Sequence, residues 1–429
     1  MRDLPLIPWR WPAWVWLVGL ALILFIRFPV YFAMTPHYLM DFEVYRITAQ
    51  RLLHGEWTLL YQPTTSEPML FKYAPIWVVL WAPLGWLSHH AGGVVWSALT
   101  VLWLTLACWG AGTLCRHANL RAPSWLPLAI VLLLLRPITA EFLNGQVDVL
   151  WALLVIGFLL AEGMQQRWWA VISLSLAISL KAPALIFLAY LVARRRWSTT
   201  LLTLGIALVT NMIVSAALRP ASPFALLQEW THILWSSGIA RAFEIGNQSL
   251  FALAGRLLSN DGYHVNLADL APATIFLIMV AVGAVLFGLV VVSPKGIRDE
   301  PTRLVFDGSL LTILMILCSP TVWVATYSAL ILPIAVALAS VTTSPRAMWR
   351  EWQSALLALA VVGFSLMTHS SFWRALGIKS FRGETYVFLV FMILPWLGVF
   401  LFTYLWHQRH IDTPQMAQKS TEAQRNPTG

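Results

Sequence analysis

Long apolar runs separated by short polar stretches set the pattern of this chain. They fall near residues 11–33, 91–114, 124–142, 147–163, 168–181, 182–193, 199–218, 269–292, 303–319, 321–341, 352–369 and 385–406. A helix needs about 20 apolar residues to cross a bilayer, and most of these runs approach that length. They predict an all-α polytopic membrane protein with about 12 transmembrane helices. The pair 168–181 and 182–193 is short for two crossings and predicts a hairpin that does not fully cross. The first run, Trp11 to Ala33, is too long for a signal-peptide core. No small-x-small cleavage site follows it, so it reads as an uncleaved first span. No internal repeat is evident. One domain is expected over 1–406, followed by a short, polar, disordered cytoplasmic tail over 407–429.

Composition agrees with the pattern. Of 429 residues, 59% are hydrophobic and only 11% charged, against about 25% charged in a soluble domain. So much apolar surface calls for a lipid solvent. The net charge of +9 would suggest nucleic acid in a soluble protein; here it belongs to cytoplasmic loops, and no nucleic-acid partner is expected. The 24 Trp read mainly as interfacial anchors, with a minority available to stack on sugar faces. Cys108, Cys115 and Cys318 lie in or at the ends of apolar segments and form no disulfide framework. The His residues make no metal-binding pair, so neither metal nor cofactor is predicted.

Residues 75–88 decide the topology. They are apolar but few, and Pro75 and Pro83 interrupt them. If they crossed, the downstream charge arrangement would invert. If they lie in the interface, Arg116, Arg121, Arg194, Arg195, Arg196, the Lys295–Arg303 loop, Arg346 and Arg350 all become cytoplasmic, as the positive-inside rule requires. Both termini are then cytoplasmic, and 75–88 is expected to be a membrane-surface helix. A large first extracytoplasmic loop covers 34–90 and bears interfacial helices. A long one covers 219–268, and shorter ones surround Glu141–Asp148, Ser319–Pro320 and Ser370–Glu384.

The candidate chemistry gathers on that outer side. The first loop opens with Asp41-Phe42-Glu43-Val44-Tyr45 and closes with Phe71-Lys72-Tyr73-Ala74-Pro75. A loop that only connects need not carry 57 residues (34–90) with helices of their own. An acid at the membrane surface suits a base acting on a lipid-borne substrate, but Asp41 would equally serve as a helix N-cap. Asn144, Gly145 and Gln146 form a polar turn on the same face. Arg27, Arg136 and Lys181 fall inside spans, where a cation is costly and is usually paired or functional. Snorkelling suits Arg27. Lys181, at the hairpin tip before Pro183, suits a phosphate arriving from the bilayer. Gly246-Asn247-Gln248-Ser249 reads as a site segment or as a helix cap. Ser319-Pro320-Thr321-Val322-Trp323 occupies an outer turn.

Taken in order, DFEVY, GEWTLLY, FKYAPIWVVLWAPL, NGQVDVLWALL, KAPALIFLAYLVARRRW, GNQSLFALAGRLL and SPTVW resemble glycosyltransferase family 87, from about residue 41 to 335. That family belongs to the GT-C superfamily of polyprenyl-phosphate-sugar-dependent transferases. The resemblance implies a large first outer loop and a second one that joins the active site. It also implies that Asp41, matching the family's acidic residue after the first span, is the catalytic base. Tyr45, Lys72, Tyr73, Gln146, Lys181, Asn247, Gln248 and Arg256 match recurrent family positions and are expected to bind substrate; Glu43, Asn144, Trp323 and Tyr327 join them as candidates. Relatives often place a His shortly after SPxxW. Here Val324, Ala325, Thr326 and Tyr327 follow, so that role is absent or passes to Tyr327.

The expected function is an inverting glycosyltransferase of the inner (plasma) membrane. It would move a mannose- or pentofuranose-like sugar from a polyprenyl-phosphate donor to a hydroxyl of a glycan or glycolipid acceptor on the extracytoplasmic face. The alternatives are a lipid-linked-sugar transporter or flippase, and an inactive lipid-binding relative. Transporters gather polar residues near the midplane on broken helices of paired repeats, whereas these gather at one face.

Overall fold

The computed structural model of the chain describes residues 39–64, 69–240, 246–259, 267–292, 299–343 and 393–411, with Gly19 and Glu244. The expected spans at 11–33 (Gly19 apart) and 352–369, the expected outer loop at 370–384, Arg27 and the tail beyond 411 lie outside these residues. Among the described residues the regular structure is entirely helical. Four helices among the described residues are long and apolar enough to cross a membrane, or five if one bent pair forms a single span.

The first expected loop holds helix α1 (Met40–Leu53), a 3₁₀ turn at Trp57–Leu59, α2 (Pro75–Leu80) and a 3₁₀ helix at Ala82–Trp86. Residues 75–88 therefore form two short pieces instead of one surface helix. Pro75 starts the first and Pro83 lies at the start of the second, where its fixed φ suits an opening helical turn.

Ser88 caps α3 (His89–His117), its hydroxyl accepting from the Ala91 N–H at 3.2 Å. The expected span at 124–142 is divided into α4 (Leu126–Leu133) and α5 (Leu135–Asn144), bent by 71°. Pro137 is the cause: it has no N–H to return to the Leu133 carbonyl, and its ring crowds that oxygen. Next come α6 (Asp148–Gly163) and α7 (Arg167–Leu180), then a 3₁₀ turn at Ala182–Ala184 containing Pro183, then α8 (Leu185–Ala193). This is the predicted hairpin, with Lys181 at its tip.

The chain continues through α9 (Trp197–Leu218), α10 (Ala225–Ala240), α11 (Leu250–Leu258), α12 (Pro272–Val291) and α13 (Glu300–Leu317). A 3₁₀ stretch at Val324–Leu330 leads into α14 (Ile331–Thr343), and α15 (Ile393–Ile411) closes the described chain.

Helices α6, α13 and α14 form the centre; Trp151, Phe158, Phe306, Leu310 and Ile334 are almost wholly buried. Helices α9 and α12 lie at the periphery and turn Leu201, Leu204, Leu208, Leu277, Val280 and Val285 outward. An apolar exterior of this kind suits contact with acyl chains.

Polar contacts collect at two poles. At one, Thr302 Oγ1 donates to the Ala118 carbonyl, the Arg121 N–H to Thr343 Oγ1, and Arg194 to Glu300. Nearby Arg409 pairs at 2.6 Å with fully buried Asp307, which also accepts from Tyr190. These contacts join α15 to α13 and α8. The other pole holds Asp41, Gln146, Lys181 and Trp323, which line one cavity.

Candidate active site

The site begins with a turn. The Leu39 N–H donates to the Leu143 carbonyl at 2.9 Å, docking the start of α1 against the end of α5. Gly145 ends α5 at φ +70°, a left-handed conformation that favours glycine. A Cβ there would stand 2.6 Å from the Phe42 Cβ. This close approach carries Gln146 to Asp41, and Gln146 Nε2 donates to Asp41 Oδ2 at 2.5 Å. Asp41 is not the helix cap: Leu39 holds that position, with no capping side chain. Asp41 lies inside the first turn with its carboxylate on the cavity wall.

The cavity measures about 440 Å³, within the usual range of small-molecule sites. Asp41, Tyr45, Lys72, Tyr73, Gln146 and Lys181 line its polar part; Leu70, Leu180, Pro183, Leu234 and Cys318 supply an apolar side. Tyr45 and Tyr73 share a hydroxyl–hydroxyl hydrogen bond of 2.8 Å in an aromatic cluster with Trp81 and Trp96. Burial, aided by the charge of Asp41, pushes both phenols well above their ordinary pKa, so they remain protonated.

Lys181 is paired. Its ammonium donates to Asp148 Oδ1 and lies 5.6 Å from the centre of the Trp151 ring. Asp148, wholly buried at the start of α6, also accepts from Thr326 Oγ1 at 3.4 Å. Neighbouring Glu141 accepts from the Val149 N–H and from Ser328. The first loop is tied to the hairpin tip: the Ala74 N–H donates to the Ser179 carbonyl and the Ile76 N–H to Asn211 Oδ1. That join holds Lys72 and Tyr73 beside Lys181 on the cavity wall.

Other predicted residues support the wall from outside it. Asn247 Nδ2 donates to the Pro320 carbonyl at 2.6 Å, and its Oδ1 accepts from the Val322 N–H. The Gln248 N–H bonds to the Val322 carbonyl. Arg256 is buried and donates to the Glu244 and Asn247 carbonyls. Gly246 permits this packing, since a Cβ there would meet the Trp323 ring at 2.5 Å. Ser249 is a helix cap, accepting from the Ala252 N–H. Trp323 reaches the cavity. Tyr327 does not: it is buried and donates to the Gln248 carbonyl, while Thr326 stands on the wall.

Asn144 and Glu43 are also absent from the wall. Glu43 holds Arg46 at 2.5 Å and His89 at 2.7 Å. Burial alone would raise its pKa, but the bonds to Arg46 and His89 outweigh that and hold it below the ordinary value.

Sequence reasoning did not single out Asp148, Glu141, Trp151, Thr326 or Asn211. The available signal was two acids, Glu141 and Asp148, straddling the Gly145 turn. It was obscured because an acid such as Asp148 in a helix's first turn is ordinary.

Comparison with known proteins gives this geometry its context. The model of glycosyltransferase family 87 matches residues 71–320. The chain is 25% identical over 395 residues to the polyprenol-phosphate-mannose-dependent alpha-(1-2)-phosphatidylinositol mannoside mannosyltransferase of Mycolicibacterium smegmatis, covering 84% of each protein. It is 29% identical over 223 residues to the protein of the same description from Mycobacterium tuberculosis, covering 47% of this chain and 50% of that one. Most of the cavity wall, from Lys72 to Pro320, falls inside the matched segment, while Asp41 and Tyr45 lie upstream of it and Trp323 just after it. Because the match covers more than half of the chain, the chain belongs to glycosyltransferase family 87.

Proposed function

We propose that this glycosyltransferase transfers a mannose-like or pentofuranose-like sugar from a polyprenyl-phosphate donor to an acceptor hydroxyl, with inversion at the anomeric carbon. Asp41 takes the acceptor proton, the acceptor oxygen attacks the anomeric carbon, and the phosphate leaves with the bonding electron pair. Lys181 and Lys72 stabilise the growing phosphate charge. Arg256, the other cation considered for that role, is committed to buried carbonyls. The Tyr and Trp residues of the first loop receive a glycan or glycolipid acceptor, and the apolar wall near Leu234 and Pro183 receives the start of the prenyl chain. About 12 spans place both termini in the cytoplasm and this cavity on the extracytoplasmic face of the inner membrane. The one-domain description over 1–406 belongs to the same proposal.

The observation that carries this reading is that a carboxylate, held by Gln146, shares one cavity with a lysine ammonium. Base and phosphate partner thus face a common space. The names of the similar mycobacterial proteins support a polyprenol-phosphate mannose donor and a mannoside acceptor. The test is incubation of purified protein with a panel of polyprenyl-phosphate sugars, with mass spectrometry of donor and product. Turnover of at least one such donor is expected. Turnover of none, by protein that is folded and lipid-reconstituted, would overturn the reading.

A further inference from the structure

The mechanism above leaves Asp148 without a task. It is wholly buried and off the cavity wall itself, although its two partners, Lys181 and Thr326, line that wall. Asp148 Oδ1 accepts from Lys181 and Oδ2 from Thr326. A buried ion pair is weak evidence for stability, because desolvating two charges offsets much of their attraction. The placement suits a different role. When the sugar leaves, the bond from the anomeric carbon to the phosphate oxygen breaks and that oxygen keeps the electron pair. The donor, a phosphodiester, carries one negative charge; the product, a phosphomonoester, carries about 1.5 to 2. A bare ammonium on the cavity wall would therefore hold product more tightly than donor and slow release.

We infer that Asp148 is a positioning residue whose carboxylate competes with the product phosphate for the Lys181 ammonium, keeping phosphate binding reversible. The inference rests on the phosphate-linked donor proposed above. Lys181 has three N–H donors. One faces Asp148 and the others serve the donor phosphate, so the charge the phosphate meets is already partly neutralised. Thr326, on the cavity wall, fixes the second oxygen of Asp148 and so fixes the aim of the pair.

The experiment is steady-state kinetics with whichever polyprenyl-phosphate sugar the wild type turns over, using the matching polyprenyl phosphate as inhibitor. In Asp148→Asn, the product Ki is expected to fall by about tenfold or more, as for a gained charge-assisted contact. The donor KM should fall less, and kcat should drop as release becomes limiting. Asp148→Ser, which leaves room for water beside Lys181, should show the same sign if the Asn variant does not fold. In the wild type, product Ki should lie within about threefold of donor KM, a small preference by the same arithmetic. A purely structural role would lower the active fraction without moving Ki or KM. A product Ki in either folded variant that is unchanged or weaker overturns the inference while leaving the transferase reading intact. A wild type that already binds product at least tenfold tighter than donor overturns it without any variant. Absence of donor turnover removes both readings together.

Discussion

Two acids two positions apart, Asp41 and Glu43, have opposite surroundings. Asp41 faces the cavity and accepts from Gln146; Glu43 is bound by Arg46 and His89 away from it. Asp41→Asn keeps the shape but cannot accept a proton at neutral pH. Transfer should fall by about 10²–10⁴-fold, measured as product formed per enzyme, with the melting temperature close to wild type. Glu43→Gln should retain most activity and lose about 0.2–1 kcal/mol of stability, typical of a partly exposed ion pair; a dead Glu43→Gln beside an active Asp41→Asn would reverse the two roles. Lys181 needs a paired substitution. Lys181→Met alone leaves the buried carboxylate of Asp148 without its cation, which is costly in itself. The double variant Lys181→Met with Asp148→Asn removes both charges, and donor affinity should fall by about tenfold or more, read by direct binding of a polyprenyl-phosphate sugar. Unchanged affinity in the folded double variant would place the donor phosphate elsewhere.

At the scale of elements, the Gly145 turn governs how α1 meets α5. An Ala at φ +70° is strained by about 1–2 kcal/mol, and its Cβ would press on Phe42. Gly145→Ala should therefore push the turn away from α1 and lengthen the contact from Gln146 to Asp41. The expected result is a kcat at least tenfold lower, a shift of about 1.4 kcal/mol in barrier, with donor affinity nearly unchanged because Lys181 stands on another element. Equal losses in donor affinity and kcat would show that the turn supports the whole cavity. The join between the first loop and the hairpin tip is comparable: Asn211 bonds to the Ile76 N–H and to Ser179. A buried side chain in a spanning helix thereby positions a surface loop.

At the scale of the molecule, one pole gathers Asp41, Gln146, Lys181 and Trp323, and the other gathers Ala118, Arg121, Arg194, Glu300 and Thr343. In the proposed topology the first faces the outside. Single cysteines at Thr64 and Asn144, in a cysteine-free background, should label with an impermeant thiol reagent applied to intact cells. Cysteines at Asn119 and Ser198 should label only after lysis. Outside labelling at 119 would mean that residues 75–88 cross the membrane, despite their division into two short helices.

The sequence by itself determined the class of solvent, the approximate places of the apolar helices, the family and the candidacy of Asp41. Those properties are local: the length of an apolar run, a run of motifs in order, an acid just past the first apolar run. What the tertiary structure decided is non-local. Gln146 meets Asp41 across 105 residues, Lys181 meets Asp148 across 33, and Thr326 meets Asp148 across 178. Each meeting depends on the bend before Pro137, on the break at Lys181 and on how the central helices pack. The same packing turned Arg256 and Tyr327 away from the cavity and made Asp148 part of the site. A residue's type fixes which chemistry it is capable of; in a helical bundle, where helices cross and break fixes which other residues it meets.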